Sequence, residues 1–361
     1  MGNFKNIKLK NFRNFEECSL NFLKKCNVFY GKNGSGKTNI LESISLFSRG
    51  RGFRKDKISD LIKKNNEKFV IKSNFENKNI VYDLITETDY VNDRYKKIFT
   101  IDGDKSRETL QNIYEKITFL TFLPEIERLF LSSPTSRRNF VDQLIFAHKK
   151  NYNVKINHYT KLLHERSKLL MDNDQSDSWL LHLENNISKL GIEIYKLREN
   201  QLVSLIEILN NYLHEFKLDF EVKLKIIDQF KLIYEDQDRY KKQLKQNRKK
   251  DSLIGGSKIG PHRSDFIFFY NDNNLVSQLS TGQQKTLILL IYLSQAKFLT
   301  QCKNKKPILL LDEVCSHLDD LNRNILLTLV ESFDFQVFMT GTSKDLFSFL
   351  STNTNFCNIT H

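Results

Sequence analysis

The chain has 361 residues, 40% of them hydrophobic and 27% charged, a balance that excludes a disordered chain and a small disulfide scaffold and leaves room for about two domains. Its longest plain apolar run, Leu287 to Leu293, is far short of the ~18 residues a membrane-spanning helix needs, and its first residues alternate basic and apolar positions instead of forming a secretory signal. Lys and Arg number 56 against 43 Asp and Glu, a net charge of +13 that suits a polyanionic partner, while five cysteines without a C-x-x-C pair indicate neither a disulfide framework nor a zinc site and fit a reducing cytoplasm.

In chain order, the apolar strand end Val28-Phe29-Tyr30 leads into a glycine-rich loop, and a helical run follows over Asn39 to Phe47. Segments 68–74, 79–87 and 96–101 alternate with period two and read as successive strands, the last closing on the turn pair Asp102-Gly103. The four prolines, Pro124, Pro134, Pro261 and Pro307, leave 135–260 free of this breaker. There the pattern predicts a helix from about Arg137 to Leu170 and a polar link over 171–178. A second long helix follows, its stripe formed by Leu180, Leu183, Ile187, Leu190, Ile194 and Leu197. The two are expected to form an antiparallel hairpin packed on the rest of the protein, because about three heptads make a short coiled coil. Leu218 to Ile226 alternates again as a strand. The last third runs helix (283–300), apolar strand (308–311), helix (319–332) and apolar strand (335–340), the alternation of a parallel sheet with crossover helices.

The strongest chemical signal is Gly31-Lys32-Asn33-Gly34-Ser35-Gly36-Lys37-Thr38, a complete G-x-x-x-x-G-K-T between a strand and a helix. Its glycines let backbone N–H groups face phosphates, Lys37 is placed to reach the β and γ phosphates, and Thr38 supplies a hydroxyl to Mg²⁺. A second element, Ile308 to Leu311 followed by Asp312 and Glu313, delivers two acids from the carboxyl end of a buried strand. Asp312 would hold the metal, directly or through water, and Glu313 would orient and polarise the attacking water. The third element, Leu279-Ser280-Thr281-Gly282-Gln283-Gln284, opens a helix. Ser280 serves there as an ordinary N-cap, or Ser280 and the Gly282 backbone form a second anion site. His317 reads as a loop histidine and receives no catalytic role.

These elements together resemble the ABC-type ATPases of the SMC and RecF group, and the RecF family in particular. The resemblance also rests on Leu9-Lys10-Asn11-Phe12-Arg13-Asn14-Phe15, on Phe122-Leu123-Pro124-Glu125, and on Ser133-Pro134 leading to Arg137-Arg138-Asn139-Phe140. Gly260-Pro261-His262-Arg263-Ser264-Asp265 completes it. It implies an α/β fold: an ABC-type P-loop ATPase head with a mixed or parallel sheet core and an antiparallel N-terminal sheet, formed by 1–125 and 251–361, with a mainly helical lobe, 126–250, inserted. It implies ATP and Mg²⁺ as cofactors, weak DNA-stimulated ATP hydrolysis, and an ATP-dependent head-to-tail homodimer. In that dimer Ser280, Gly282 and Gln283 close over nucleotide bound by the partner's P-loop. It further implies gapped, double- or single-stranded DNA as ligand, and work with RecR and RecO in placing RecA on gapped DNA, in recombinational repair and replication restart. An SMC-like tether or a transporter coupling module is the alternative within the same group. The family often has two Asp where this chain has Asp312-Glu313. The switch histidine of transporters is replaced by Met339-Thr340-Gly341-Thr342-Ser343, so a hydroxyl from Thr340 or Thr342 would face the γ phosphate.

Two basic clusters are candidates for DNA backbone contact: Arg49, Arg51, Arg54, Lys55 and Lys57, and Lys241, Lys242, Lys245, Arg248, Lys249 and Lys250. Alternatively Arg49 or Arg51 of the first touches nucleotide or steadies the P-loop lobe, and the second is a solvated loop or helix end.

Overall fold

The computed structural model describes residues 2–172, 177–228, 236–271, 273–316 and 318–360, which form two compact units. The first comprises Met1–Glu127 and Lys285–His361. At its centre lies a five-stranded parallel sheet in the order Thr354–Asn358, Cys26–Tyr30, Val337–Gly341, Ile308–Leu311, Phe119–Phe122. Ile308–Leu311 and Val337–Gly341 are buried along their whole length, as strands covered on both faces must be, and this is why Ile308–Leu311 reads as an unbroken apolar run. The helix Asp320–Glu331, capped by Asp319 through a 2.8 Å bond to the Asn322 amide, makes the crossover between them. Their register aligns Leu311 with Met339 and Gly341 with Tyr30, so Gly31, Asp312 and Thr340 emerge along one edge of the sheet.

A six-stranded antiparallel sheet completes this unit. Its order is Phe15–Asn21, Asn6–Phe12, Val70–Asn77, Ile80–Val91, Arg94–Ile101, with Gly2–Phe4 also pairing with Val70–Asn77. The three strands expected at 68–101 are all present, and Asp102 and Gly103 take the left-handed conformations (φ 51° and 80°) that their turn needs. One hydrophobic core joins the two sheets around the helix Lys37–Ser45. Phe4 packs 5.5 Å from Phe47, and Phe29, 6.1 Å from Phe338, lies in the same cluster as Ile40, Leu41 and Leu310. Each such fully buried side chain contributes about 1.5–3 kcal/mol of transfer free energy, so the P-loop helix is anchored from below.

The second unit is Arg128–Gln284. The helix expected over 137–170 is two helices, Pro134–His148 and Tyr152–Met171. Lys149 leaves the helical region (φ −120°, ψ 79°), and the break turns the buried Tyr152 back so that its hydroxyl donates to Asp142. The second of these runs antiparallel to Asp177–Glu215: Lys155 pairs with Glu193 and Arg166 with Glu184. Part of the expected link, 173–176, lies outside the described residues. The buried stripe of the long helix departs from the apolar pattern, since Leu190 and Leu197 are only half-buried while Gly191 and Arg198 take the inward positions. Arg198 is held there by a paired contact with Asp142 at 2.8 and 2.9 Å.

Residues 251–284 belong to this second unit, whereas the sequence reading grouped them with the head. The reason is strand pairing: Asp265–Tyr270 runs antiparallel to Val222–Ile227 along its full length, with Asn274–Leu275 on its other side. The strand expected from Leu218 starts at Val222 because the long helix first closes on itself, with Lys217 left-handed (φ 56°) and the Leu218 amide bonded to the Leu213 carbonyl. Among the described residues no helix is long and apolar enough to cross a membrane.

Candidate nucleotide site

The loop between Cys26–Tyr30 and Lys37–Ser45 is shaped by glycines that no other residue could replace. Gly36 caps the helix at φ 99°, and a Cβ there would lie 2.5 Å from the Phe15 ring and 2.7 Å from the Asn14 amide. A Cβ on Gly31 (φ 152°) would meet the Ile359 carbonyl at 2.5 Å. Lys32, Asn33 and Gly34 form the exposed crest of the loop. Lys37 is 4% exposed and curls beneath it, its Nζ donating to the carbonyls of Gly31 (2.8 Å) and Lys32 (2.9 Å). The hydroxyl of Ser35 is buried with no hydrogen-bond partner in the protein, a donor left over inside a loop of phosphate-binding shape.

The sheet edge brings the acids to this loop. Thr38 Oγ1 donates to Asp312 Oδ1 at 2.9 Å, and Thr340 Oγ1 donates to the same oxygen at 2.6 Å while accepting the Glu313 amide at 2.9 Å. Burial raises the Asp312 pKa above the usual carboxylate range; the hydroxyls of Thr340 and Thr38 oppose the shift, the charge of Glu313 adds to it, and Arg54 lowers it. Glu313 sits at φ 50°, a left-handed conformation that costs a non-glycine residue of order 1–3 kcal/mol and marks the position as functionally constrained. Thr38 and Asp312 offer two hard oxygens side by side, one of them anionic. No group of three or more His, Cys, Asp or Glu suited to a metal occurs among the described residues, so a cation held here needs phosphate oxygens and water to complete its shell. That donor set suits Mg²⁺.

The signature segment lies in the second unit and is open to solvent. Ser280, Thr281, Gly282 and Gln283 are all exposed at the start of the helix Thr281–Lys297. Ser280 and Gln283 form a capping box: the Gln283 amide donates to Ser280 Oγ at 3.3 Å, and Gln283 Oε1 accepts the Ser280 amide at 3.1 Å. A Cβ on Gly282 would meet no atom within 4 Å, so no contact within the chain requires glycine there. Gln284 turns inward to the carbonyls of Ser277 (3.2 Å) and Leu279 (2.8 Å). In the first unit, Lys285 donates to the Ser316 carbonyl (2.7 Å) and pairs with Glu127 (2.8 Å); His317 lies outside the described residues.

The basic clusters divide on inspection. Arg51, Lys245 and Lys249 are exposed. Arg54, also exposed, donates to Asn39 (2.9 Å) and to the fully buried Glu42 (3.2 Å), and the half-buried Arg248 pairs with Glu184 (2.9 and 2.8 Å) and with Asp177. Both charges are therefore neutralised within their own units. Sequence patterning missed the reason for the first pairing: Glu42 faces inward from the P-loop helix and is also gripped by Arg13 at 2.9 and 2.8 Å. Asn39 then donates to Asn14 at 2.7 Å, which ties the 9–15 segment to the loop. The only sequence signal was an acid at a buried helical phase.

The Gly260–Asp265 block is a polar joint of the second unit. Asp265 takes a two-pronged contact from Arg137 (2.8 and 2.7 Å), Arg138 reaches the Ser264 carbonyl (2.7 Å), and Arg198 reaches the Pro261 carbonyl (2.6 Å). His262 donates from Nε2 to the Ser257 carbonyl (2.9 Å) and accepts the Tyr159 hydroxyl at Nδ1 (3.0 Å). Burial pushes its pKa down to about 4; the bond to Ser257 opposes this, and Arg263, Arg138 and Arg198 reinforce it.

Comparison with known proteins agrees with this geometry. The RecF/RecN/SMC N terminal domain family matches residues 3–360. The DNA replication and repair protein RecF of Rickettsia typhi is 31% identical over 344 residues, 94% of either chain, and that of Rickettsia canadensis is 31% identical over 93% of either. Among solved structures, the recombination mediator protein RecF-ATPrS in the RecFOR pathway superposes with a TM-score of 0.84 at 28% identity, covering 97% of this chain and 94% of the other. The RecF-ATP form gives 0.82 over 95% and 92%. An Smc head bound to the C-winged helix domain of ScpA, at 0.57 and 16% identity, shares the fold alone. The expected α/β ATPase head with its two kinds of sheet is borne out.

Proposed function

Because the chain belongs to the RecF family, we propose that it is an ATP-binding and ATP-hydrolysing protein of DNA replication and repair whose nucleotide joins two copies into a clamp on DNA. The observation that carries this reading is the convergence of Thr38 and Thr340 on Asp312 beside the P-loop, with Glu313 held next to it. The Gly31–Thr38 backbone and Lys37 bind the triphosphate, and Ser35 gains a partner for its buried hydroxyl. Thr38 and Asp312 would hold Mg²⁺, which supplies charge neutralisation at the β and γ phosphates. Glu313 accepts a proton from the attacking water and directs it at the γ phosphorus.

Ser280, Gly282 and Gln283 act on a second copy. Their exposure, and the open space over Gly282, suit the close approach of a partner's phosphates, in a head-to-tail homodimer that forms with ATP and parts after slow, weakly DNA-stimulated hydrolysis. Arg51, with Lys245 and Lys249, would contact DNA phosphates without reading bases. RecR and RecO are the partners this reading names, and loading of RecA on gapped DNA is its outcome. The test is retention of gapped, duplex and single-stranded DNA with ATP, with ADP and without nucleotide, across a salt series. The reading expects ATP-dependent retention that falls steeply with salt. Equal retention in all three nucleotide conditions would overturn the clamp.

A further inference from the structure

We propose that Thr340 is a positioning residue for hydrolysis, which holds the acid pair Asp312–Glu313 from the neighbouring strand. The inference rests on the ATPase reading above and deepens it. Thr340 is fully buried in Val337–Gly341, and the parallel register with Ile308–Leu311 sets it beside Asp312. A hydroxyl carries one proton. Thr340 commits that proton to Asp312 Oδ1 at 2.6 Å and uses a lone pair for the Glu313 amide at 2.9 Å. Both of its directional bonds therefore go to the acid pair, and its hydroxyl faces the acids instead of a phosphate. Of the two threonines at the carboxyl end of this strand, Thr342, just beyond Gly341, is the exposed one and the one open to a nucleotide.

The contact has a mechanical purpose. Glu313 stands at φ 50°, where an L-residue is strained, and its amide is fixed by Thr340. Released, the backbone would relax toward negative φ and swing the Glu313 side chain away from its present direction. Thr38 also donates to Asp312 Oδ1, but it belongs to the P-loop, and its hydroxyl is the one required at the metal. Thr340 is thus the donor to Asp312 that comes from the sheet and stays with it when nucleotide is bound.

Two substitutions separate shape from hydrogen bonding: Thr340→Val keeps the shape and loses the hydroxyl, and Thr340→Ser keeps the hydroxyl. In steady-state hydrolysis with DNA, Thr340→Val is expected to lower kcat at least about 10-fold with KM within about 3-fold, and Thr340→Ser to stay within about 3-fold of the parent in both. Hydrogen exchange of the nucleotide-free protein gives a second readout that does not depend on turnover. The Glu313 amide is expected to lose protection in Thr340→Val and keep it in Thr340→Ser. An unchanged kcat in Thr340→Val, an equal loss of kcat and affinity in both variants, or an unaltered Glu313 exchange rate would overturn the proposal. A parent protein without ATP turnover would defeat the ATPase reading instead, and the exchange rates would still decide whether Thr340 holds Glu313.

Discussion

Thr38 and Asp312, 274 positions apart in the chain, meet through an Oγ1–Oδ1 hydrogen bond of 2.9 Å. Nothing local brings them together. The parallel sheet does, because it places the carboxyl ends of Cys26–Tyr30 and Ile308–Leu311 on the same edge, with Val337–Gly341 between them. The P-loop and the acid pair are therefore one object, and the consequences can be tested residue by residue.

Lys37 holds the loop carbonyls of Gly31 and Lys32 from beneath. Lys37→Ala removes the ammonium that would face the phosphates. Titration with a fluorescent ATP analogue should show affinity falling about 100-fold, about 3 kcal/mol, with the thermal midpoint moved by only a few degrees.

Gly282 has open space where a Cβ would stand, in the first turn of a helix. Gly282→Ala should leave the monomer as stable or up to about 1 kcal/mol more stable, since alanine is the better helix former. The same change, and more strongly Ser280→Arg, should weaken ATP-dependent self-association while ATP binding by the monomer persists. Urea unfolding, nucleotide titration and light scattering read the three quantities separately.

Arg166 is 1% exposed between Glu184 (3.1 Å) and Asp251 (2.8 Å), and both acids are equally buried. Arg166→Met would leave Asp251 in the interior without its cation and Glu184 with Arg248 alone. The expected loss in urea unfolding is about 3–5 kcal/mol, with DNA binding lost in proportion to the unfolded fraction.

His262 is half-buried and neutral, its pKa depressed to about 4 from the ordinary 6.5 by desolvation and the three neighbouring arginines. The unfolded chain binds a proton between those values and the folded chain does not. The stability that His262 contributes is therefore present above pH 6.5 and is lost as the pH falls toward 4, by up to about 3 kcal/mol. Urea midpoints from pH 7 to 4.5 should fall more steeply for the parent than for His262→Gln.

The elements that position the nucleotide were legible because they satisfy local rules. Gly31 to Thr38 needs a strand before it and a helix after it, and Ile308–Leu311 is apolar because both of its faces are covered. The break at Lys149 was not legible, since Lys-Lys-Asn contains no proline or glycine and the turn is fixed by Tyr152 reaching back to Asp142. Apolar periodicity also misdrew the long helix. It counts Leu190 and Leu197 as inward, whereas the inward line runs through Gly191 and Arg198, and a buried Arg198 is tolerable because the distant Asp142 supplies its counter-charge and Pro261 a carbonyl. The same limit applies to charge: Arg54 and Arg248 read as free cations in sequence because Glu42 and Glu184, which neutralise them, are 12 and 64 positions away. Sequence does not separate Thr340 from Thr342 as the hydroxyl for the γ phosphate, because the partners of Thr340 are set by strand register and not by spacing along the chain.

Sedimentation of Glu313→Gln with and without saturating ATP tests the proposed clamp most directly. The substitution removes the base and keeps the left-handed backbone that Thr340 holds, so nucleotide should bind and remain intact. The account predicts a monomer without nucleotide and a stable dimer with ATP, dispersed again by Ser280→Arg in the same background. A Glu313→Gln protein that binds ATP and still sediments as a monomer would contradict it.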